Sequence, residues 1–68
     1  MEYKFGERLK ELRTEKGLTT RTLAEKIGTN NANISNWENN KNFPSITFIY
    51  ALCDFFDVSA DFLLGREY

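Results

Sequence analysis

The sequence contains no histidine, one cysteine and one proline among its 68 residues. A single cysteine cannot form a disulfide framework, and the Cys/His spacings of zinc sites are absent. Cys53 falls in an apolar stretch with helical spacing, so we interpret it as a small core residue rather than as a nucleophile. The sequence therefore predicts no enzyme, no metal site and no cofactor, and it indicates no small-molecule ligand.

Long hydrophobic runs are also missing from the sequence. No segment approaches the roughly 18–20 apolar residues that a membrane-spanning helix needs. Charged residues stand at the N-terminus, which has no apolar core of a signal peptide. With a free cysteine and no targeting segment, we expect a cytoplasmic protein that does not associate with membranes.

The charges nearly balance, with a net charge of −1, whereas nucleic-acid-binding domains are commonly basic. Their distribution is uneven. Residues 1–41 hold eight Lys/Arg against six Asp/Glu, and residues 42–68 hold one against four. The first part of the chain can therefore face a polyanion while the second part stays away from it.

The residues that are present favour one folded helical domain over residues 1–68. Hydrophobic residues make up 41% and aromatic residues 15% of the chain, which argues against disorder, and this length fits a single domain. No stretch alternates with period two, so we expect no sheet. The spacing of apolar and helix-ending residues predicts five helices, at about Glu2–Lys16, Thr20–Ile27, Asn31–Asn39, Ile46–Phe56 and Ala60–Leu64.

Helix-ending residues stand at both ends of the predicted helices. Polar residues that can accept a hydrogen bond from the first free amides precede four helices: Thr19, Asn30, Ser45 and Ser59. Glycines that tolerate a left-handed backbone follow three helices: Gly17, Gly28 and Gly65.

The second and third predicted helices are joined by only three residues, Gly28-Thr29-Asn30, as in a helix-turn-helix. In the third helix, Ile34 and Trp37 share one side because residues three apart are neighbours on a helix surface. Asparagine is a poor helix former, yet its amide matches the N6 and N7 atoms of adenine in the major groove. The side opposite Ile34 and Trp37 carries small or polar residues: Ala32, Ser35, Asn36 and Asn39.

The abundance of asparagine has a second interpretation. Residues 30–42 contain seven asparagines, and an AT-rich genome would enrich asparagine without any role in base reading. Solvated and capping asparagines are also ordinary. The residue pattern alone leaves both interpretations open.

Several segments of the chain, in the same order, resemble the phage repressor/Cro family of helix-turn-helix regulators, also called the XRE family. They are FGERLKELRTEKGLT, LAEKIG, ISNWENNK, and PS followed by DFFDVSADFLLG, so the resemblance spans roughly Phe5 to Gly65. It implies the lambda repressor-like DNA-binding fold, an all-α, compact bundle of five short helices. It also implies two-fold dimers that place the third helix in the major groove.

The resemblance also implies roles for individual residues. Trp37 corresponds to a core position, and Glu38 corresponds to a residue that pairs with a first-helix arginine, here Arg13. Phosphate contact falls on Asn39 and Lys41. Base reading falls on four positions of the third helix: Asn31, Ala32, Asn33 and Asn36.

Two positions depart from the pattern of the family. The family usually has a phosphate-contacting glutamine just after the N-cap of the second helix, where this chain has Thr20. The shorter hydroxyl leaves open a weaker contact, a closer direct contact, or a transfer of the contact to Arg21, for which simple solvation is the other interpretation. The family prefers glycine where this chain has Asn40, and asparagine tolerates a left-handed backbone better than most residues.

The fourth helix has more apolar surface than one core face needs. Phe48 and Phe55 lie about 100–120° from the centre of its expected core face, and Phe62 lies on the fifth helix. We assign these three aromatics to a dimer interface, and closure of the small core is the alternative. The expected core face consists of Ile46, Ile49, Leu52, Cys53 and Phe56.

The residue pattern and the resemblance together predict a transcriptional regulator, a repressor, that reads a double-stranded DNA operator as a homodimer. A protein-interaction module that keeps the fold without binding DNA is the alternative, favoured by the net charge and by Thr20. An antitoxin that regulates its own promoter is a third interpretation. An enzyme fits the sequence least.

Overall fold

The computed structural model describes residues 4–66, which form five helices and no strand. Among these residues, no helix is long and apolar enough to cross a bilayer. Because the described part of the chain contains helices and no strand, the all-helical prediction is confirmed there. The helices are α1 (Phe5–Glu15), α2 (Thr20–Ile27), α3 (Asn31–Glu38), α4 (Ile46–Phe56) and α5 (Ala60–Leu64).

Two helices end earlier than the sequence predicts. α1 ends at Glu15, and Lys16 takes the C-cap position. α3 ends at Glu38 because the backbone of Asn40 is left-handed, with a φ of 56°, and Asn39 takes the C-cap position. The predicted start of α1 at Glu2 lies outside the described residues, and Lys4 is the N-cap without a side-chain capping bond.

The side-chain caps form at three of the four predicted N-caps. Ser45 is the exception, since it has the extended backbone of an N-cap but makes no side-chain capping bond. At the other three, the side-chain oxygen accepts a hydrogen bond of 2.8–3.0 Å from a backbone amide: Thr19 from Thr22, Asn30 from Asn33 and Ser59 from Phe62.

Left-handed residues end the helices and set the turns between them. Gly28 has a φ of 85°, a conformation that costs a residue with a Cβ atom free energy. This turn lets α3 start three residues later, at Asn31, directly after the capping residue Asn30. The predicted glycines after α1 and α5, Gly17 and Gly65, also have positive φ values.

All five helices contribute to one apolar core. α3 packs against α1 and α2, α1 also packs against α5, and α4 packs against α2 and α5. α3 is thus held mainly between α1 and α2. The buried core residues are Phe5, Leu9, Leu23, Ala24, Ile34, Trp37, Leu52, Phe56 and Leu63.

The predicted core face of α4 is wrong at its first residue. Ile46 is 81% exposed, whereas Leu52 and Phe56 are buried. By the helical angle of 100° per residue, Ile46 lies about 100° from the line joining those two residues, so it faces solvent. Cys53 is partly buried, and this burial raises the pKa of its thiol, which disfavours the nucleophilic thiolate.

Gly6 lies where the start of α1 meets the end of α3. A Cβ atom at this position would be 2.3 Å from the carbonyl oxygen of Glu38 and 2.8 Å from that of Trp37. The amide of Gly6 donates a hydrogen bond to Oδ1 of Asn40 at 3.1 Å. The position therefore requires the smallest residue because two backbones approach each other there.

We expect Gly6→Ala to destabilise the fold by about 1–3 kcal/mol or more, as overpacking does. In an exposed helix the same change stabilises by up to about 1 kcal/mol, so the expected sign is reversed. The free energy of unfolding in urea measures the effect. Lys10→Ala, at an exposed position of α1, is the control. A Gly6→Ala variant at least as stable as the original protein would contradict this account.

Candidate nucleic-acid interface

α3 is attached to the core by two side chains on one side. Ile34 is fully buried and Trp37 is 3% exposed. The indole of Trp37 packs at a tilt against the ring of Phe48, with 5.5 Å between the ring centroids. These contacts leave the opposite side of α3 available to another molecule.

The four predicted base-reading residues lie at or near the surface. Asn31 and Ala32 are exposed, and Asn33 and Asn36 are partly buried. Among the described residues, no polar or charged residue is buried in the core. The amides of α3 are therefore not packed into the interior of the domain.

A side-chain hydrogen bond joins the first residue of α2 to the first residue of α3. The hydroxyl of Thr20 donates to Oδ1 of Asn31. Thr20 is partly buried and Asn31 is exposed. The N-terminal ends of α2 and α3, which both carry predicted DNA contacts, are thus in direct contact with each other.

The side-chain amide of Asn33 also makes a hydrogen bond, but through its nitrogen rather than its oxygen. Nδ2 of Asn33 donates to the hydroxyl of Thr29 at 2.8 Å. The backbone amide of the same residue donates to the capping side chain of Asn30. Asn33 therefore ties the first turn of α3 to the preceding loop.

Asn36 is the unconstrained amide of the set. Within residues 4–66 its side chain makes no hydrogen bond. Its backbone carbonyl oxygen accepts a hydrogen bond from the backbone amide of Lys41 at 2.9 Å. Both its donor and its acceptor are therefore available to a partner.

The predicted phosphate contacts lie in positions accessible to a partner. Arg21 and Lys41 are exposed and form no ion pair with another described residue. Nδ2 of Asn39 donates to the carbonyl of Ser35 at 2.8 Å, and an amide nitrogen has a second hydrogen for another acceptor.

Arg13 and Glu38 form the ion pair that the resemblance implies. Nε of Arg13 lies 2.6 Å from Oε2 of Glu38, and Nη2 lies 3.1 Å from Oε1, so the contact is bidentate. Their side chains are only 12% and 7% exposed. The hydrogen bond and the charge of Glu38 raise the pKa of the Arg13 guanidinium. Arg13 also donates to the carbonyl of Leu18 at 2.8 Å, so it joins α1, α3 and the loop before α2.

Sequence reasoning missed the role of the Asn40 side chain. The resemblance indicated only that its backbone can be left-handed, and the φ of 56° agrees. The side chain also accepts the hydrogen bond from Gly6, 34 residues earlier in the chain. The signal in the sequence was a glycine within the helical pattern of α1, which is unfavourable unless close packing requires it.

The three aromatics assigned to a dimer interface are each partly buried. Phe48 and Phe55 pack against the core, and the guanidinium of Arg8 lies over the ring of Phe62, 4.4 Å from its centroid. Two other apolar side chains of α4 are much more exposed, Ile46 at 81% and Tyr50 at 76%. They lie four residues apart, hence on one face of α4.

A family model described as a helix-turn-helix domain matches residues 6–68 of the chain. The chain is 39% identical over 63 residues to the HTH-type transcriptional regulator ImmR of Bacillus subtilis (strain 168), covering 93% of the chain and 50% of ImmR. It is 40% identical over 63 residues to the HTH-type transcriptional activator BcrR of Enterococcus faecalis, covering 93% of the chain and 31% of BcrR. The chain thus spans about a third to a half of the length of these curated relatives.

Solved structures show the same fold. The crystal structure of the P22 c2 repressor in complex with a synthetic operator superposes with a TM-score of 0.87 and 28% identity, covering 93% of this chain and 96% of that chain. The N-terminal DNA-binding domain of SinR from Bacillus subtilis superposes with a TM-score of 0.80 and 39% identity, covering 90% of each chain. The lambda repressor-like architecture predicted from the sequence is confirmed.

We expect Arg13→Met alone to lower the free energy of unfolding by about 3 kcal/mol, because the nearly buried carboxylate of Glu38 loses its partner. The double variant with Glu38→Met should recover much of this loss, since no unpaired charge remains. Urea unfolding of both single variants and the double variant measures the coupling. Additive losses in the double variant would show that the two charges do not depend on each other.

Proposed function

The chain belongs to the helix-turn-helix domain family, of the phage repressor type, and on that premise we propose that it is a DNA-binding transcriptional regulator. It binds a double-stranded operator by placing α3 in the major groove. Binding at a promoter blocks access of the transcription machinery, so the regulator acts as a repressor and performs no chemistry.

The observation that carries this proposal is the two-sided character of α3. Ile34 and Trp37 hold one side on the core, and the other side presents small and amide side chains. An apolar side there would favour a protein partner, whereas amides match the hydrogen-bonding groups on base edges. Asn31, Ala32, Asn33 and Asn36 are the residues that we propose to face the bases.

The phosphate contacts are proposed for residues at either end of the helix-turn-helix. Arg21 and Lys41 carry exposed positive charges with no partner among the described residues, and Asn39 has a free amide hydrogen. The hydroxyl of Thr20 has given its one hydrogen to Asn31, and phosphate oxygens can only accept. Of the alternatives for this position, the hydrogen bond favours transfer of the contact to Arg21.

We propose that the regulator binds as a homodimer, because one small module with few cations gives little affinity on its own. Two modules on half-sites about 34 Å apart would add their contacts. Ile46 and Tyr50 supply the exposed apolar surface for such a contact on α4. The partly buried rings of Phe48, Phe55 and Phe62 form the alternative contact surface, because Phe48 and Phe55 lie on the opposite side of α4 from Ile46 and Tyr50.

We expect base reading and phosphate contact to be separable by mutation. Asn36→Ala should lose about 1–3 kcal/mol of discrimination at one base step. Lys41→Ala should weaken binding to all sequences alike and reduce the salt slope by about one. Selection of bound duplexes from a random pool provides the operator, and titrations at several salt concentrations measure both effects.

Lys10→Ala is the control for these titrations, because Lys10 is an exposed cation of α1 and is not part of the helix-turn-helix segment. It should leave both preference and salt slope unchanged. Retention on duplex DNA that does not depend on salt would reject the proposed function, since contact with phosphate requires that dependence.

For the dimer, we expect Tyr50→Ser to weaken self-association about tenfold, because it removes an apolar ring from the contact. Tyr50→Phe keeps the ring and should have little effect. Sedimentation of the free proteins and titration of operators with one or two half-sites measure both. Phe55→Arg is less suitable because the ring of Phe55 packs edge-on against Phe56 at 5.0 Å. Unchanged sedimentation and operator affinity for Tyr50→Ser would exclude this surface.

A further inference from the structure

The backbone at the end of α3 depends on one residue in the left-handed conformation. The backbone amide of Lys41 donates to the carbonyl of Asn36 at 2.9 Å, and that of Asn40 donates to the carbonyl of Trp37 at 3.2 Å. These two bonds form the Schellman arrangement, which requires a left-handed residue just after the C-cap. Asn40 is that residue, with a φ of 56°. Its conformation therefore determines where the backbone of Lys41 lies.

The side chain of Asn40 makes a second connection, to the first turn of α1. Its Oδ1 accepts a hydrogen bond of 3.1 Å from the backbone amide of Gly6, the second residue of that helix. The first amides of a helix have no partner within the helix, and Lys4, the N-cap of α1, makes no side-chain capping bond. Asn40 thus gives α1 the capping bond that its own N-cap residue does not make.

Few residue types can make both connections. Glycine adopts the left-handed conformation most easily but has no side chain that could reach α1. Most other residues have a side chain but adopt this conformation at a greater cost than asparagine does. Glycine is the residue that the phage repressor family prefers at this position, so the bond from Asn40 to α1 departs from the pattern of the family.

Asn40 lies between two of the proposed phosphate contacts, Asn39 and Lys41. All three residues are exposed, and Lys41 forms no ion pair with another described residue. A lysine in an unanchored segment would lose backbone and side-chain freedom on binding, and this loss opposes association. The bonds of Asn40 to α3 and α1 remove part of that freedom before DNA binds.

We propose that Asn40 is a positioning residue that fastens the phosphate-contacting segment 39–41 to the start of α1 and so presents Lys41 to the DNA backbone. This inference rests on the proposed function. Because coupling between two sites is reciprocal, contact of Lys41 with phosphate in turn strengthens the bond between Asn40 and Gly6. The start of α1 therefore becomes more ordered when the operator binds, although no DNA contact is assigned to it.

The first test is a double-variant cycle on the operator selected with the original protein. Asn40→Gly keeps the left-handed backbone and removes the side-chain acceptor. Asn42→Gly is the matched control, because Asn42 is an exposed asparagine of the same loop whose side chain makes no hydrogen bond within residues 4–66. Affinity is titrated for both variants, for Lys41→Ala, and for Asn40→Gly combined with Lys41→Ala, under conditions where urea unfolding shows each to be folded.

We expect Asn40→Gly to weaken binding to all duplexes about fivefold, which corresponds to one net hydrogen bond, without a change of base preference. In the Lys41→Ala background the same change should have little effect, because the cation that Asn40 positions is gone. Asn42→Gly should bind like the original protein. A loss of equal size in both backgrounds, or an equal loss for Asn42→Gly, would overturn the inference.

Hydrogen exchange of the Gly6 amide supplies a readout that a merely structural role would not change. Saturating operator should slow this exchange in the original protein but not in Lys41→Ala. The amide of Phe62 is the reference, because it donates to the capping hydroxyl of Ser59 at 3.0 Å in α5. Exchange at Gly6 should slow more than exchange at Phe62. Equal slowing at both amides would show only general stabilisation by the bound DNA and would overturn the coupling.

These outcomes are distinct from a failure of the proposed function. If Asn40→Gly binds like the original protein and binding still depends on salt, Asn40 is not a positioning residue and the proposed function stands. Failure of the original protein to select any duplex, with retention independent of salt, would instead reject the proposed function itself.

Discussion

A helix of eight residues with two large apolar side chains cannot be held in place by burial alone. α3 is such a helix, and polar contacts at both of its ends add to the burial of Ile34 and Trp37. The most constrained of these contacts is the bidentate pair of Glu38 with Arg13, since both side chains are nearly buried. A misplaced guanidinium would leave a carboxylate without a partner, so the pair tolerates only one position of α3 against α1.

The need for polar contacts at the ends of α3 also explains why so many asparagines occur around it. Asn30 caps the helix, Asn33 ties its first turn to Thr29, and Asn40 ends it and binds the amide of Gly6. Each short amide meets a backbone or hydroxyl group that has few other partners. Asn33, which the sequence suggests for base reading, thus also helps to determine where α3 lies, so stability and recognition share this residue.

The parts of the fold that depend on local patterns were predictable. The five helices follow from apolar spacing and from caps such as Thr19 and Asn30, whose hydrogen bonds span only three residues. Contacts between distant residues were not predictable from pattern, as the bond from Gly6 to Asn40 shows. Ile46 was misplaced because its apolar character suggested burial, although its angle on α4 turns it outward. The base contacts depend on a partner outside the chain, so neither periodicity nor packing determines them.

The close approach at Gly6 bears on how the domain can be re-engineered. The backbone of α1 touches the last turn of α3 there, so the segment that contains α2 and α3 is not a transferable cassette. Grafting this segment onto another scaffold would omit the glycine and the arginine of α1 that seat it. Altered recognition is better sought by exchanging single exposed side chains of α3 while keeping the contacts of Gly6 and Arg13 with the end of α3.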